Sequence, residues 1–317
     1  MSKPVCVVWT NEKEDYEQAL TRTGLIDRLE LHCVKREEPL PEDLAARADI
    51  LVAWKPGSFL KRMPHLRWIQ AMTAGVESWL ESPDLGKDVT LCCARGSHRI
   101  SMPENILGAL FHITKPYMQI ALDQRENRWT KRMSVPLAGK TLGILGLGAI
   151  GQELARKAAA LEMRVIGTRR TPTPVAHVDR VYGQDDTDAV LDASDFVLLL
   201  LPTTPETENF IGEKRLRAMK PTAWLLNFAR GALIVDADLI AAVQSKAIAG
   251  AVLDVFREEP LAATHPFWKT EGILVLPHLG GGHPERGAAV ADIFADSARR
   301  FLAGELPNAI VDRARGY

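Results

Sequence analysis

Residues 141–151 read TLGILGLGAIG, a short apolar strand followed at once by a glycine-rich turn and the start of a helical pattern. Strand, G-x-G-x-x-G turn and helix in this order are typical of a dinucleotide-binding βαβ unit. The three glycines of the turn are Gly146, Gly148 and Gly151. They permit a tight turn, a close approach of the backbone to a pyrophosphate, and close packing of helix on strand. The pattern predicts a Rossmann-type domain whose first helical N–H groups, near Ala149 and Ile150, face cofactor phosphates.

The residues that end the second strand of this unit indicate which dinucleotide is bound. An NAD enzyme places an acidic residue there, about 20 residues after the turn, to bind the ribose 2′-hydroxyl. This chain has Thr168-Arg169-Arg170, and Arg169 lies 169 − 151 = 18 residues beyond the last glycine. Two guanidinium groups and a hydroxyl suit a 2′-phosphate. We therefore expect NADP(H) to be preferred, with NAD(H) as a possible second cofactor.

Apolar strands alternate with helical stretches on both sides of this unit, which favours two α/β domains with parallel sheets. Before it, strands are predicted at 5–9, 31–34, 50–54 and 66–72, and helices at 16–29 and 104–128. Within and after it, strands are predicted at 141–145, 164–168, 195–201, 224–228, 251–256 and 273–276. Helices are predicted at 150–163 and 236–246, the second with Asp236 as its N-cap. A final amphipathic stretch, 284–302, follows the last strand and is expected to cross back to the first domain. The predicted domains are 1–102 plus 284–317 for the substrate and 103–283 for the dinucleotide. The predicted fold class is two Rossmann/flavodoxin-like domains, with the active-site cleft expected between them.

Composition narrows the function classes. With 317 residues, 46% hydrophobic and 25% charged, the chain has ordinary globular values. The formal net charge of −1 gives no global field for nucleic acid or an anionic membrane. No apolar run approaches the roughly 20 residues of a membrane span, and no signal-peptide pattern is seen. The cysteines Cys6, Cys33, Cys92 and Cys93 have no metal-type spacing, so we predict reduced thiols, no bound metal and a cytoplasmic location.

Three polar segments follow predicted strands, at the sheet edge where open α/β folds bind ligands. They are 227–231 (NFARG), 254–261 (DVFREEPL) and 277–281 (PHLGG). Arg230 can bind a carboxylate through its guanidinium fork. His278 can protonate a ketone oxygen as a hydride arrives, and Glu259, if it contacts His278, favours the imidazolium form. Together they suit reduction of a 2-oxo acid to its 2-hydroxy acid. The cofactor is expected to lie against the strand-end residues Phe228, Ala229, Arg230, His278 and Gly280.

On these motifs, together with LPTTPET at 201–207, the chain resembles the D-isomer-specific 2-hydroxyacid dehydrogenases over nearly its whole length. Within that family the basic Thr168-Arg169-Arg170 is similar to the glyoxylate and hydroxypyruvate reductases. The resemblance implies a catalytic triad of Arg230, Glu259 and His278. It implies a homodimer in which the coenzyme domains form most of the contact. The chain departs from the family's pattern at Glu77, where Asp is commoner, and in the Leu-Gly-Gly-Gly-His that follows His278.

The resemblance also implies the surroundings of the cofactor and substrate. Asp254 is expected at the nicotinamide end, and Leu201, Pro202 and Thr207 along the phosphate side. Backbone N–H groups near Ala74 and Gly75 are expected to share the substrate carboxylate with Arg230. Trp54 is either a wall of the substrate pocket or a core residue at a strand end. The histidines His98, His112, His265 and His283 are interpreted as packing or solvated side chains.

Other functions remain open on the sequence. The same fold could act on phosphite or, less readily, on formate, since related formate enzymes use an amide where this chain has Glu259. A dinucleotide-sensing scaffold of the corepressor type would share the fold and the triad. The side chain of the 2-oxo acid is not fixed, because glyoxylate, hydroxypyruvate and larger acids present the same carboxylate and ketone.

Overall fold

The structure is a computed structural model and describes residues 3–316. The strands, in chain order, are β1 (Val5–Trp9), β2 (Glu30–Val34), β3 (Ile50–Ala53), β4 (Trp68–Ala71), β5 (Thr90–Cys92), β6 (Thr141–Leu145), β7 (Arg164–Thr168), β8 (Arg180–Tyr182), β9 (Phe196–Leu199), β10 (Trp224–Asn227), β11 (Gly250–Leu253) and β12 (Ile273–Val275). The helices are α1 (Lys13–Arg22), α2 (Glu42–Arg47), α3 (Glu77–Leu80), α4 (Ser101–Thr114), α5 (Tyr117–Arg125), α6 (Ala149–Ala160), α7 (Thr187–Ala193), α8 (Glu213–Arg217), α9 (Asp236–Gln244) and α10 (Arg286–Leu302).

The chain divides into two compact units, Met1–Ser97 with His283–Tyr317, and His98–Gly282. These boundaries differ from the predicted ones at both crossings. Residues 98–102 belong to the second unit rather than the first, and His283 belongs to the first rather than the second. The reason is local packing: Met102 and Ile106 of α4 belong to the apolar core of the second unit. The assignment of the units to substrate and dinucleotide stays a prediction.

The first unit is built on a five-stranded parallel sheet in the order β2-β1-β3-β4-β5. Alternate residues of β1 face opposite sides: Val5 and Val7 join one apolar cluster, and Cys6 and Val8 join the other. Helix α10 belongs to this unit and packs on α1. Its Phe294 is fully buried and stacks on Trp68 at 5.3 Å between ring centroids. Burial on both faces explains the nearly continuous apolar runs of these strands.

The second unit contains a seven-stranded parallel sheet in the order β12-β11-β10-β9-β6-β7-β8. Strand β6 lies between β7 and β9, so successive connections leave it in opposite directions. This is the topological switch point at which doubly wound sheets bind ligands beyond the carboxyl ends of their strands. The glycine-rich turn follows β6 directly and so lies at that point. The predicted fold class, two parallel-sheet α/β domains, is confirmed.

Two predicted helices are wrong in extent. The single helix predicted over 104–128 is two helices, α4 and α5, separated at Lys115 and Pro116. Proline lacks an N–H and pushes the residue before it out of the helical region, and Lys115 is extended at φ −116° and ψ 131°. The helix predicted over 16–29 ends at Arg22, because Gly24 takes a left-handed φ of 69° and turns the chain.

Shorter differences concern a cap and two strands. Asp236, expected to cap α9, is instead its first residue, and its carboxylate lies 3.5 Å from Nε2 of His265. Strands β5 and β8 are not among the predicted elements. Each has three residues, too few for the alternation of polar and apolar side chains to be read. Within residues 3–316, no helix is both long and apolar enough to cross a membrane.

Candidate active site

The glycine-rich turn after β6 has the geometry of a phosphate-binding loop. Gly146 takes a φ of 110°, and a Cβ added there would lie 2.7 Å from the carbonyl oxygen of Leu200. A Cβ at Gly151 would lie 2.7 Å from the oxygen of Gly146, so this glycine lets α6 approach the turn. A Cβ at Gly148 would meet nothing within 4 Å, so the space before it is open. Because the first four N–H groups of a helix have no partner within it, those of Ala149 and Ile150 can bind an anion in that space.

The basic pair follows β7, next to this turn. Leu147 in the turn donates to the carbonyl oxygen of Thr168 at 3.0 Å, which ties the two strand ends together. Thr168 is buried, whereas Arg169 and Arg170 are exposed. Nη1 of Arg169 donates to Oγ1 of Thr173 at 3.0 Å, which fixes the guanidinium beside the strand end. The donor set, two exposed guanidiniums next to an open helix N-terminus, fits the 2′-phosphate and the pyrophosphate of NADP(H).

The 201–207 loop is held by a buried threonine. Oγ1 of Thr207 donates to the carbonyl oxygen of Pro202 at 2.7 Å and accepts from the N–H of Thr204 at 2.8 Å. Leu201 is buried beside it. A hydrogen bond from Thr204, with the charge of Arg170 as a smaller cause, holds the pKa of Glu206 below its usual range. The loop therefore keeps its shape through Thr207, and Glu206 brings a negative charge near Arg170.

Arg230 follows β10 on a turn that Asn227 shapes. Nδ2 of Asn227 donates to the carbonyl oxygen of Arg230 at 2.8 Å, and its Oδ1 accepts from the N–H of Ala229 at 3.1 Å. Phe228 and Ala229 are buried, and Nη1 of Arg230 donates to the oxygen of Ala229 at 2.7 Å. At Gly231 a Cβ would collide with the peptide after Phe256. The glycine thus brings the arginine turn against the loop that contains Glu259.

Glu259 and His278 form a direct pair. Nδ1 of His278 lies 2.6 Å from Oε2 of Glu259, and Oε1 of that carboxylate accepts from the N–H of Phe256 at 2.9 Å. The bond from Phe256 orients the carboxylate toward the histidine. Among residues 3–316, Nε2 of His278 has no protein partner, and the side chain is 51% exposed. The pair therefore presents Nε2 outward, where it can transfer a proton to a bound molecule.

Asp254 orients the backbone around His278. It is fully buried at the end of β11, and it accepts from the N–H of Leu279 at 2.8 Å and from the N–H of Gly280 at 2.9 Å. Burial raises the pKa of Asp254, although these two bonds oppose the rise. His278 itself has a φ of 51°, which is uncommon for a residue with a Cβ and persists where surrounding contacts over-determine it. Asp254 provides two such contacts immediately after the histidine.

The predicted substrate residues of the first unit lie on two neighbouring loops. Trp54 follows β3, and the loop with Ala74 and Gly75 follows β4. The core alternative for Trp54 is wrong, since it is 38% exposed. Oγ1 of Thr73 donates to the oxygen of Gly75 at 2.6 Å. Neither the N–H of Ala74 nor that of Gly75 donates to another group among residues 3–316, so both can bind an anion.

The other predicted histidines and the cysteines differ in their contacts within residues 3–316. His265 packs on Phe267 at 4.5 Å between ring centroids, and His112 is exposed. Nε2 of His283 approaches the oxygen of Ser97 at 3.4 Å. All four cysteines are free thiols, and burial raises the pKa of Cys33 to about 11 and that of Cys92 to about 12. Over the described chain, no group of three or more His, Cys, Asp or Glu is placed to hold a metal ion.

Several residues that shape the site were not predicted from the sequence. Asn227 and Asn105 are side-chain amides that bind backbone: Nδ2 of Asn105 donates to the oxygen of Gly280 at 3.0 Å. Gly231 lies in the NFARG motif, but its close approach to the peptide after Phe256 was not predicted. An amide directly before the Phe-Ala-Arg turn was a usable signal for Asn227. No local signal marks Asn105, which is 175 residues from its partner.

The sequence matches a protein-family model over the residues that form this site. The model is described as "D-isomer specific 2-hydroxyacid dehydrogenase, NAD binding domain", and it matches residues 107–280, more than half of the chain. The chain belongs to the D-isomer specific 2-hydroxyacid dehydrogenase family. The resemblance seen in the sequence motifs is thus confirmed. The matched range spans the glycine-rich turn, the arginine turn and the Glu259–His278 pair.

Individual relatives agree with this membership. A glycerate dehydrogenase from Methylorubrum extorquens is 28% identical over 95% of this chain and 92% of its own. A glyoxylate/hydroxypyruvate reductase A from Photorhabdus laumondii is 31% identical over 85% of this chain and 88% of its own. An NADPH-dependent glyoxylate/hydroxypyruvate reductase from Sinorhizobium meliloti, solved with NADP and sulfate, is 28% identical with a TM-score of 0.85 and full coverage of both chains.

Proposed function

We propose that this protein is an NADP(H)-preferring D-2-hydroxyacid dehydrogenase that reduces a 2-oxo acid to its 2-hydroxy acid. The observation that carries the proposal is the geometry of His278. One ring nitrogen is bound to Glu259 while the other has no protein partner among residues 3–316. A histidine held in this way can donate a proton from Nε2 to a ketone oxygen. The carboxylate of Glu259 holds the ring through Nδ1, so that Nε2 is the nitrogen left for the substrate.

Arg230 and the loop at Ala74 and Gly75 are proposed to bind the substrate carboxylate. A guanidinium makes two parallel bonds to a carboxylate, which also orients the adjacent ketone. The N–H groups of Ala74 and Gly75 donate to no other group of the described chain and can add to this binding. Bound NADPH supplies the hydride. The protein supplies the position of the ketone, a proton at Nε2 of His278 and the surrounding field.

The cofactor preference rests on the residues after β7 and on one relative. Arg169 and Arg170 are exposed there, beside the open turn at Gly148. The Sinorhizobium reductase that shares the fold was solved with NADP. We assign the 2′-phosphate to the two arginines and the pyrophosphate to the start of α6.

We further propose that the protein is a homodimer and acts in the cytoplasm. The second unit exposes large apolar side chains on α4, α5 and the segment after them; these are Phe111, Tyr117, Met118, Ile120, Leu122, Trp129, Met133 and Val135. Trp129 and Met133 are 95% and 93% exposed. Exposed apolar side chains of this size are typical of protein–protein interfaces. Four free thiols suit a reducing compartment.

The activity is tested by following NADPH and NADH oxidation in parallel with glyoxylate, hydroxypyruvate, 2-oxobutyrate and phenylpyruvate. Faster oxidation of NADPH with at least one of these acids is expected. Tight NADPH binding without turnover of any 2-oxo acid would refute the enzymatic proposal and favour a dinucleotide sensor. The dimer is tested by sedimentation of Trp129→Ser, which should shift toward monomer. Leu306→Ser is the matched control, because Leu306 is 67% exposed but lies in the first unit.

A further inference from the structure

Two arginines and a tryptophan meet at one edge of the five-stranded sheet, and we call them the Trp54 cluster. Trp54 directly follows β3, Arg36 follows β2, and Arg286 is the first residue of α10. The guanidinium carbons of Arg36 and Arg286 lie 4.9 Å and 4.4 Å from the centroid of the Trp54 ring. Both distances are within the range of a cation–π contact. The cluster thus lies beyond the carboxyl ends of two strands.

The cluster lies where doubly wound sheets usually bind their ligands. In the order β2-β1-β3-β4-β5, the connections from β1 leave in opposite directions, so the switch point lies between β1 and β3. Doubly wound sheets of this order bind their ligands there. Trp54 is the first residue after β3, so it lies at that point.

Arg286 also joins the cluster to the loop that is proposed to bind the substrate carboxylate. Its Nη2 donates to the carbonyl oxygen of Met72, the residue directly before the Thr73–Val76 loop. The N–H groups of Ala74 and Gly75 lie within that loop. An anion bound by Arg286 would therefore be a near neighbour of one bound by these N–H groups.

Neither guanidinium of the cluster is in direct contact with a carboxylate of the described chain. Neither Arg36 nor Arg286 forms an ion pair with a carboxylate of residues 3–316. Burial, with the charge of Arg36 adding to it, lowers the pKa of Arg286, while Glu12 and Tyr16 act in the opposite direction. The carboxylate of Glu12 does not pair with Arg286 but lies against Gly287, where an added Cβ would be 2.9 Å from its Oε2. A half-buried cation beside a second cation is stabilised by an anionic ligand.

We propose that Arg286 and Arg36 bind a second anionic group of the substrate, with Trp54 as the flat surface behind it. The inference rests on the proposed function, because it names the class of 2-oxo acid: one with a carboxylate or a phosphate at the end remote from the ketone. The first carboxylate is already assigned to Arg230 and to the N–H groups of Ala74 and Gly75. The Trp54 cluster supplies the fork geometry and charge that a distal anion needs.

Matched pairs of acids separate charge from shape. Oxaloacetate and 4-methyl-2-oxopentanoate have the same branching, and only the first ends in a carboxylate. The pair 2-oxoglutarate and 5-methyl-2-oxohexanoate extends this comparison by one methylene, and 3-phosphohydroxypyruvate tests a phosphate in place of the carboxylate. The wild-type enzyme should have a higher kcat/KM for at least one of these acids with a distal charge than for the neutral partner of similar length.

The variant Arg286→Met should lower kcat/KM for the preferred charged acid by about 10–100-fold, mainly through KM, because a charge-assisted bond is lost. The same variant should lower kcat/KM for the neutral acid by a smaller factor, because there only the bond to Met72 is lost. Arg286→Lys should restore part of the preference, and Arg36→Gln, an exposed position, should shift it in the same direction. Arg299→Gln, farther along α10, is the control and should leave the preference intact.

Equal activity of the wild type on charged and neutral partners would overturn the inference and leave the proposed function standing. An equal loss on both partners in Arg286→Met would also overturn it, since Arg286 would then only support the loop. Should Arg286→Met fail to fold, Arg36→Gln decides in the same assay. No turnover of any acid, charged or neutral, would instead refute the proposed function itself.

Discussion

Nδ1 of His278 lies 2.6 Å from Oε2 of Glu259, and the second oxygen of that carboxylate is bound by the N–H of Phe256. The carboxylate thus receives one bond from the backbone and one from the imidazole. This arrangement fixes which ring nitrogen faces outward. A change of Glu259 to Gln would remove the negative charge while keeping the shape of the side chain.

Replacing Glu259 by Gln should lower kcat by about tenfold or more, because Nδ1 of His278 loses the carboxylate that holds the ring. The effect should appear in kcat rather than in the KM of the 2-oxo acid. Steady-state rates measure both constants. Glu258→Gln, next in sequence and exposed, should leave kcat unchanged; full kcat in Glu259→Gln would remove the pair from the mechanism.

Replacing His278 by Gln should lower kcat by about 10²–10⁴-fold, the usual contribution of a general acid. NADPH binding, measured by fluorescence titration, should change little because the imidazole acts on the substrate. His112→Gln, at an exposed position on α4, is the control. A loss of kcat below about tenfold would show that another group donates the proton.

Replacing Arg169 by Asp and Arg170 by Ser should weaken NADPH binding about 10–100-fold more than NADH binding, because only NADPH has a 2′-phosphate. Dissociation constants for both cofactors test this. Arg164→Ser alters an exposed arginine at the opposite end of β7 and should affect neither cofactor. The cofactor assignment fails if both constants rise in parallel.

Replacing Asp254 by Asn should lower kcat by about tenfold or more, since one of two bonds to the backbone after His278 is lost in a buried setting. The effect should appear in kcat rather than in the KM of the 2-oxo acid. Asp254→Glu tests whether a carboxylate at the wrong distance suffices; it should also be impaired. Retention of full kcat in Asp254→Asn would show that the backbone needs no anchor there.

Asp123 of α5 forms ion pairs with two arginines of the exposed segment that follows this helix, and we expect the order of that segment to depend on pH. Its side chain is 5% exposed and pairs with Arg132 at 2.7 Å and Arg128 at 3.0 Å, and these bonds hold its pKa below the ordinary 3.8. A lowered folded-state pKa means that the stabilisation is complete above that ordinary value and is lost as the pH falls through the lower one.

In Asp123→Asn, hydrogen exchange over residues 126–136 should therefore accelerate on the order of tenfold at neutral pH. The difference from the wild type should vanish at low pH, where the wild-type carboxyl is itself protonated. Asp192→Asn, at an exposed position, is the matched control. Unchanged exchange at neutral pH would show that the arginine contacts do not order the segment.

Prediction from sequence succeeded where the pattern is local. Strands β6 and β7 have the bounds that the apolar runs predict, because five and four consecutive buried residues between turn signals leave little choice of register. The helix predicted across Pro116 was wrong, since the apolar pattern continues where proline does not permit a helix. The sequence could only suggest a contact between Glu259 and His278, because the two residues lie 19 positions apart on separate loops.

The sequence by itself determined the fold class, the family, the dinucleotide turn and the types of residue that could perform the chemistry. Each depends on a short motif whose physical cause lies within a few residues, such as the positive φ of Gly146. Only the tertiary structure decided which nitrogen of His278 is bound, that Asp254 anchors the backbone after it, and that Arg286 meets Trp54. These contacts join residues far apart in the chain, and they form only when parallel strands bring their carboxyl ends to one edge of a sheet.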